Sequence, residues 1–276
     1  MIAAINGTRL FFERLGKGRP MLTMHGGLGL DHTYFRPWLD ALAHKVELIY
    51  YDHRGNGRSE RPASMEGITH QTWVEDADAL RAHLGFDRMI LFGHSYGGFL
   101  AQEHAFRFPD RLAGLILCAT APAFDYVPVI VANAAARGTL DQNAALDKAL
   151  SGPMTGDDDF RATWMRLLPL YFKRYRPQIG QQIDEKTLYS AAAWNHAFAN
   201  CLPGFNTLSR LKEIVVPTLV IAGAVDWITP PEQARRLCAG LPNAQLMIFK
   251  ESGHMPFIEE QDKFVTAVRE WIAKLG

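Results

Sequence analysis

The chain has 276 residues, 48% hydrophobic and 21% charged, which are the proportions of an ordinary globular protein. Lys plus Arg and Asp plus Glu each number 29, and that balance excludes the basic excess on which nucleic-acid binders and polybasic membrane-surface proteins depend. Three cysteines far apart in sequence (Cys118, Cys201 and Cys238) lack metal-ligand spacing and do not suggest a disulfide framework, so no metal is expected and the expected setting is the reducing cytoplasm.

Residues 1–5 and 9–14 flank Asn6-Gly7, a two-residue hairpin signal. The first six residues carry no basic segment, and no run of 18 apolar residues occurs, so neither a secretory leader nor a membrane span is expected. Residues 20–24 read as a strand ending in His25-Gly26-Gly27, and residues 35–42 as a helix. A strand over 46–51 follows, closed by the polar, glycine-rich turn Asp52-His53-Arg54-Gly55-Asn56-Gly57-Arg58-Ser59. Residues 71–84 have apolar positions at near-helical period, with Gly85 as a stop. Then come a strand at 88–93, a helix at 99–108 and a continuous apolar run at 112–119, the pattern of a strand buried on both faces of a parallel sheet.

From Ala121 to about Arg210 the pattern is helical or irregular, with no strand. Alternation resumes with a strand at 218–223, a helix at 231–239, a strand at 245–250 and a long amphipathic helix at 258–274. The expected organisation is one α/β domain, residues 1–120 and 211–276, carrying a helical insertion of residues 121–210. Such an insertion sits where parallel sheets bind ligands, and it reads as a lid.

The chemistry centres on Gly93-His94-Ser95-Tyr96-Gly97-Gly98, between a strand and a helix. In that context G-x-S-x-G lifts a serine hydroxyl clear of the backbone on a sharp turn, with a helix N-terminus behind it. A serine hydroxyl needs a base to take its proton and an acid to orient the base. Of ten histidines, His254 lies in a loop after a strand. His94 adjoins the serine on a tight turn, where neighbouring side chains diverge, and His83, His104 and His196 fall within or near helices. Asp226, at another strand end, supplies the acid and completes the order Ser95, Asp226, His254. The main-chain amides of Gly27 and Tyr96 are the expected oxyanion donors, while Gly29 and the Asp52–Ser59 turn are expected to shape the loops behind the site.

These motifs resemble the α/β-hydrolase superfamily in order and spacing along essentially the whole chain. MHGGLG and YDHRGNGRS are most similar to its proline iminopeptidase and small-esterase branch. The resemblance implies an eight-stranded, mostly parallel sheet flanked by helices, a helical cap after the sixth strand, and a cofactor-free acyl-enzyme mechanism. The sequence departs from the aminopeptidases in two ways. Leu28 stands where they have proline, and Asp184 and Glu185 are the only acids between Phe160 and Lys212. The aromatic stretch Ala191-Ala192-Ala193-Trp194-Asn195-His196-Ala197-Phe198 suits a neutral acyl group better than a charged N-terminus.

The expected activity is hydrolysis of a small-molecule carboxylic ester or lactone, with Leu28, Phe124, Trp164, Trp194, Phe198 and Trp227 as substrate contacts. Neither nucleic acid nor membrane is an expected partner, and the oligomeric state is left open. The alternatives are removal of N-terminal proline, with Asp184 or Glu185 holding the ammonium, and a ligand receptor built on a hydrolase scaffold. A serine at the elbow sets aside the haloalkane dehalogenases and epoxide hydrolases, which use aspartate there.

Overall fold

Asn6 and Gly7 take left-handed conformations, with φ of 47° and 67°, and fold β1 (Ile2–Ile5) back on β2 (Thr8–Gly16) as the composition of the pair predicts. The computed structural model describes every residue from Met1 to Gly276. The remaining strands are β3 (Arg19–Met24), β4 (Val46–Tyr51), β5 (Met89–His94), β6 (Leu112–Cys118), β7 (Thr218–Gly223) and β8 (Ala244–Phe249). They form one eight-stranded sheet in the order β1-β2-β4-β3-β5-β6-β7-β8. The β1–β2 and β2–β4 pairs are antiparallel and all others parallel. Every residue of β5 and β7 is buried, as expected of strands covered on both faces.

The chain runs from β3 outward to β4 and returns to pair β5 with the opposite edge of β3. That reversal puts the carboxyl ends of β3 and β5 side by side at the topological switch point, where open α/β sheets bind ligands. Helices α1 (His70–His83) and α2 (Tyr96–Arg107) follow β4 and β5, and α2 packs on β5 and β6. Between β6 and β7 lie five helices: α3 (Val127–Arg137), α4 (Leu140–Ser151), α5 (Asp157–Leu167), α6 (Pro177–Asp184) and α7 (Ala191–His196). An antiparallel bridge between Ala123 and Asn206 closes the neck of this segment. The chain ends with α8 (Pro231–Gly240), α9 (Pro256–Glu259) and α10 (Gln261–Ile272).

The structure corrects three expected elements. The helix expected at 35–42 is two short 3₁₀ turns, His32–Phe35 and Asp40–His44, because Pro37 lacks the N–H that a continuous helix needs. The helix after the elbow starts at Tyr96, three residues early, since the serine turn feeds straight into it. The last helix is two, because Glu260 leaves helical geometry at φ −125° and ψ 47°.

Candidate active site

Four loops at the carboxyl ends of β3, β5, β7 and β8 meet around one cavity. At the end of β5, Ser95 holds φ 55° and ψ −121°, a conformation that costs a non-glycine residue about 1–3 kcal/mol. The surrounding glycines are required by contact. A Cβ on Gly97 would stand 2.1 Å from the Met24 carbonyl oxygen, and one on Gly93 would stand 2.5 Å from the Gly97 oxygen. A Cβ on Gly26 would approach the Ser95 Cβ to 2.9 Å, so the loop after β3 lies directly against the serine.

His254 Nδ1 and Asp226 Oδ2 are 2.7 Å apart, and both side chains are fully buried. A carboxylate only accepts, so Nδ1 carries the proton and Nε2 is left free to accept one. His254 Nε2 is buried without a hydrogen-bond partner, and Ser95 lines the same cavity. Thr229 fixes the acid: its hydroxyl donates to Asp226 Oδ2 at 2.8 Å and its N–H to Oδ1 at 3.0 Å, while the Ile228 N–H donates to Oδ1 at 2.9 Å. The Asp226 carboxylate is thereby filled on every side except the one facing the imidazole.

The Gly27 and Tyr96 amides, the expected oxyanion donors, belong to the two loops that touch at Gly26 and Ser95, and both residues line the cavity. A hydrogen-bond chain braces these loops against the base. The Gly26 N–H donates to Tyr34 Oη at 2.6 Å, Tyr34 Oη lies 2.7 Å from His94 Nδ1, and His94 Nε2 lies 3.0 Å from the His254 carbonyl oxygen. Because that carbonyl can only accept, His94 Nε2 holds the proton, Nδ1 accepts, and the Tyr34 hydroxyl donates. Burial lowers the His94 pKa well below the usual imidazole value, which keeps this polarity intact. His94 is therefore engaged through both ring nitrogens as a brace between the loops.

The cavity measures about 90 Å³, and nineteen of its twenty-five lining residues are hydrophobic. No aspartate, glutamate, lysine or arginine is among them. Phe124, Trp164, Trp194, Phe198 and Trp227 line it. Leu28 does not: it is fully buried in the core, and Leu30 takes the place on the wall expected of it. Sequence reasoning also missed Phe99, Tyr126, Ile130, Leu146, Tyr171, Leu202 and Met255, whose only signal was apolar or aromatic character shared with the core.

Asp184 and Glu185 lie away from the cavity. Asp184 accepts from Arg161 at 2.6 and 2.8 Å and from the Tyr189 hydroxyl at 2.9 Å, and the arginine hydrogen bonds hold its carboxyl below the usual range. Glu185 accepts from Gln181 at 2.8 Å. The Asp52–Ser59 turn sits behind the oxyanion loop: Asn56 Oδ1 accepts the Gly29 N–H at 2.7 Å, and Asp52 accepts from His32 at 2.6 Å. Burial alone would raise the Asp52 pKa, yet the His32 hydrogen bond holds it to about 2.

The helical segment is pinned to this floor. The Ser190 N–H donates to the Gly29 oxygen at 2.8 Å, the Leu188 N–H to Asp31 at 2.8 Å, and the His254 N–H to the Tyr171 oxygen at 2.7 Å. Trp194 and Phe198 stack with centroids 3.8 Å apart, and with Phe124 they separate the cavity from a wide outer groove.

The model of the alpha/beta hydrolase fold family matches residues 19–261. The proline iminopeptidase PfmaB of Pestalotiopsis fici is 28% identical, over 98% of each chain. A thermophilic esterase from Thermogutta terrifontis superposes with a TM-score of 0.77 at 27% identity, covering 99% of this chain and 97% of that one. An esterase from Exiguobacterium antarcticum superposes with a TM-score of 0.81 at 23% identity, over 99% and 98%. The chain belongs to the alpha/beta hydrolase fold family and is a hydrolase enzyme.

Proposed function

We propose, from that family membership, that the chain hydrolyses carboxylic esters or lactones of short, neutral acyl groups through an acyl-enzyme on Ser95. The observation that carries this reading is the apolar cavity around Ser95 and His254, which offers no carboxylate to a substrate ammonium. In this reading the Ser95 hydroxyl attacks the substrate carbonyl carbon and gives its proton to His254 Nε2. The Gly27 and Tyr96 amides hold the oxyanion, each such donor being worth about 3 kcal/mol of transition-state stabilisation. His254 returns the proton to the departing alkoxide and the alcohol leaves. It then takes a proton from water as that water attacks the acyl-enzyme, the acid departs, and Ser95 regains its proton. Asp226 holds the imidazole tautomer and stabilises the imidazolium. The helices between β6 and β7 act as the lid over the acyl group. The three unpaired cysteines support a reducing, cytoplasmic setting.

Cleavage of N-terminal proline is the second reading, favoured by the relative of that name. It needs an acid at the ammonium, and Asp184 is engaged by Arg161 outside the cavity. Side-by-side turnover of p-nitrophenyl butyrate and L-proline p-nitroanilide, by the protein and its Ser95→Ala variant, decides between them. Rapid Ser95-dependent release from the ester, with little from the anilide, is expected. Preferential release from the prolyl anilide would overturn the esterase reading.

A further inference from the structure

In a cavity this apolar, hydrogen-bonding groups without partners stand out. Tyr126 and Tyr171 line it, both more than nine-tenths buried, and neither hydroxyl takes a hydrogen bond from or gives one to the rest of the chain. Burial raises both phenols far above the usual tyrosine range, so each remains an O–H donor at any working pH. Trp164 and Trp227 line the same cavity, and each buries an indole N–H with no partner. The two indole N–H groups are buried without a partner, which costs roughly 1–3 kcal/mol each, while the two phenol hydroxyls make no hydrogen bond within the chain and keep accessible surface.

Tyr171, Trp164 and Trp227 form one cluster beside the base, and Tyr126 lines the same cavity. The Tyr171 ring lies 4.7 Å from Trp164, 5.6 Å from Trp227 and 5.1 Å from His254, measured between centroids. All four can donate, and the indoles can do nothing else. Their natural counterpart is an oxygen acceptor without charge, because no cation is present to pair an anion. On the acyl-enzyme reading the acyl group stays bound to Ser95 in this cavity after the alcohol departs, which assigns the acceptor to the acyl half.

We propose that Tyr126, Tyr171, Trp164 and Trp227 form a specificity site for a second, uncharged oxygen on the acyl chain, such as a keto oxygen, so that the preferred substrates are oxo-acyl esters or lactones. This inference rests on the acyl-enzyme reading above and narrows its substrate class.

The test pairs each oxo ester with its alkyl isostere, methyl 3-oxobutanoate with methyl butanoate and methyl 4-oxopentanoate with methyl pentanoate. Rates are divided by those of alkaline hydrolysis to remove intrinsic reactivity. At least one oxo ester is expected to exceed its isostere tenfold or more in kcat/KM, and Tyr126→Phe and Tyr171→Phe are expected to pull that ratio towards one. Ratios near one in the unmodified protein, or ratios that the two variants leave unchanged, would overturn the specificity site. A Ser95→Ala variant that still cleaves the esters would overturn the acyl-enzyme reading, and this inference with it.

A second measurement is independent of turnover. In Ser95→Ala protein, methyl 4-oxopentanoate should change tryptophan fluorescence at lower concentration than methyl pentanoate. Equal titration curves count against the proposal.

Discussion

The loops at the sheet ends and the helical segment above them reach the same cavity by different physical means. In the loops, position is dictated by backbone contact: Gly97 against Met24, Gly26 against Ser95, Thr229 around Asp226. In the helical segment a few backbone hydrogen bonds fix the anchor points, and side-chain packing forms the wall, with Trp194 stacked on Phe198 and Tyr171 against Trp164 and Trp227. Backbone sterics tolerate few residue types and leave a signature in sequence. Aromatic packing tolerates many and leaves little. On the function proposed above, reactivity lies with the first region and selection among substrates with the second, a division that mutation can test.

The largest effect is expected from Ser95→Ala, a fall in kcat of about 10⁴–10⁶ with the melting temperature within a few degrees. Survival of more than about a hundredth of the activity would mean that the reactivity lies elsewhere. Asp226→Asn should cost about 10⁴ by presenting the wrong His254 tautomer, read as kcat on p-nitrophenyl butyrate.

Acid should act on the sheet region. Burial lowers the pKa of His25, His53, His70, His94 and His104, to about 4 for His70 and for His104. All five lie on the sheet, its connecting loops or α1 and α2. The unfolded chain takes up these protons near pH 6.5, so between there and about 4 it binds more protons than the folded chain. Stability therefore falls as pH drops through that window, by at most about 1.4 kcal/mol per pH unit for each imidazole. A melting temperature at pH 5 equal to that at pH 7.5 would contradict this.

In the helical segment, Trp194→Ala should leave the serine chemistry in place but enlarge the space beside it. It is expected to shift the ratio of octanoate to butyrate ester turnover upward by about tenfold. An unchanged ratio would remove this wall from the selection of substrate. Asp184→Ala should have the smallest effect, less than about twofold on either the ester or the prolyl anilide, because it removes a surface pair with Arg161. A loss confined to the anilide would instead restore the peptidase reading.

The same division explains what could be read in the sequence. The Asn6-Gly7 hairpin, the buried strands and the loops carrying Ser95, Asp226 and His254 are legible because turn chemistry, two-faced burial and a strained serine each demand particular residues. The wall of the cavity is not. Leu28 and Leu30 differ only in the direction an irregular loop gives their side chains, and Tyr126 and Tyr171 have no neighbours in sequence that distinguish them from core tyrosines. The split of the last helix at Glu260 is likewise set by tertiary contact. Its carboxylate turns back to accept from Glu251 N–H and the Ser252 hydroxyl, at 2.9 and 2.8 Å.

The absence of any cation from the cavity bears on how a reaction there would end. An ester enters without charge, but the acid it yields ionises at neutral pH. In this cavity the new anion would meet mostly apolar walls, with no lysine or arginine to pair with it. Holding an unpaired anion away from water is costly. On the proposed esterase reading, walls that suit an uncharged acyl group disfavour the carboxylate made from it, so product accumulating outside would compete weakly with fresh substrate.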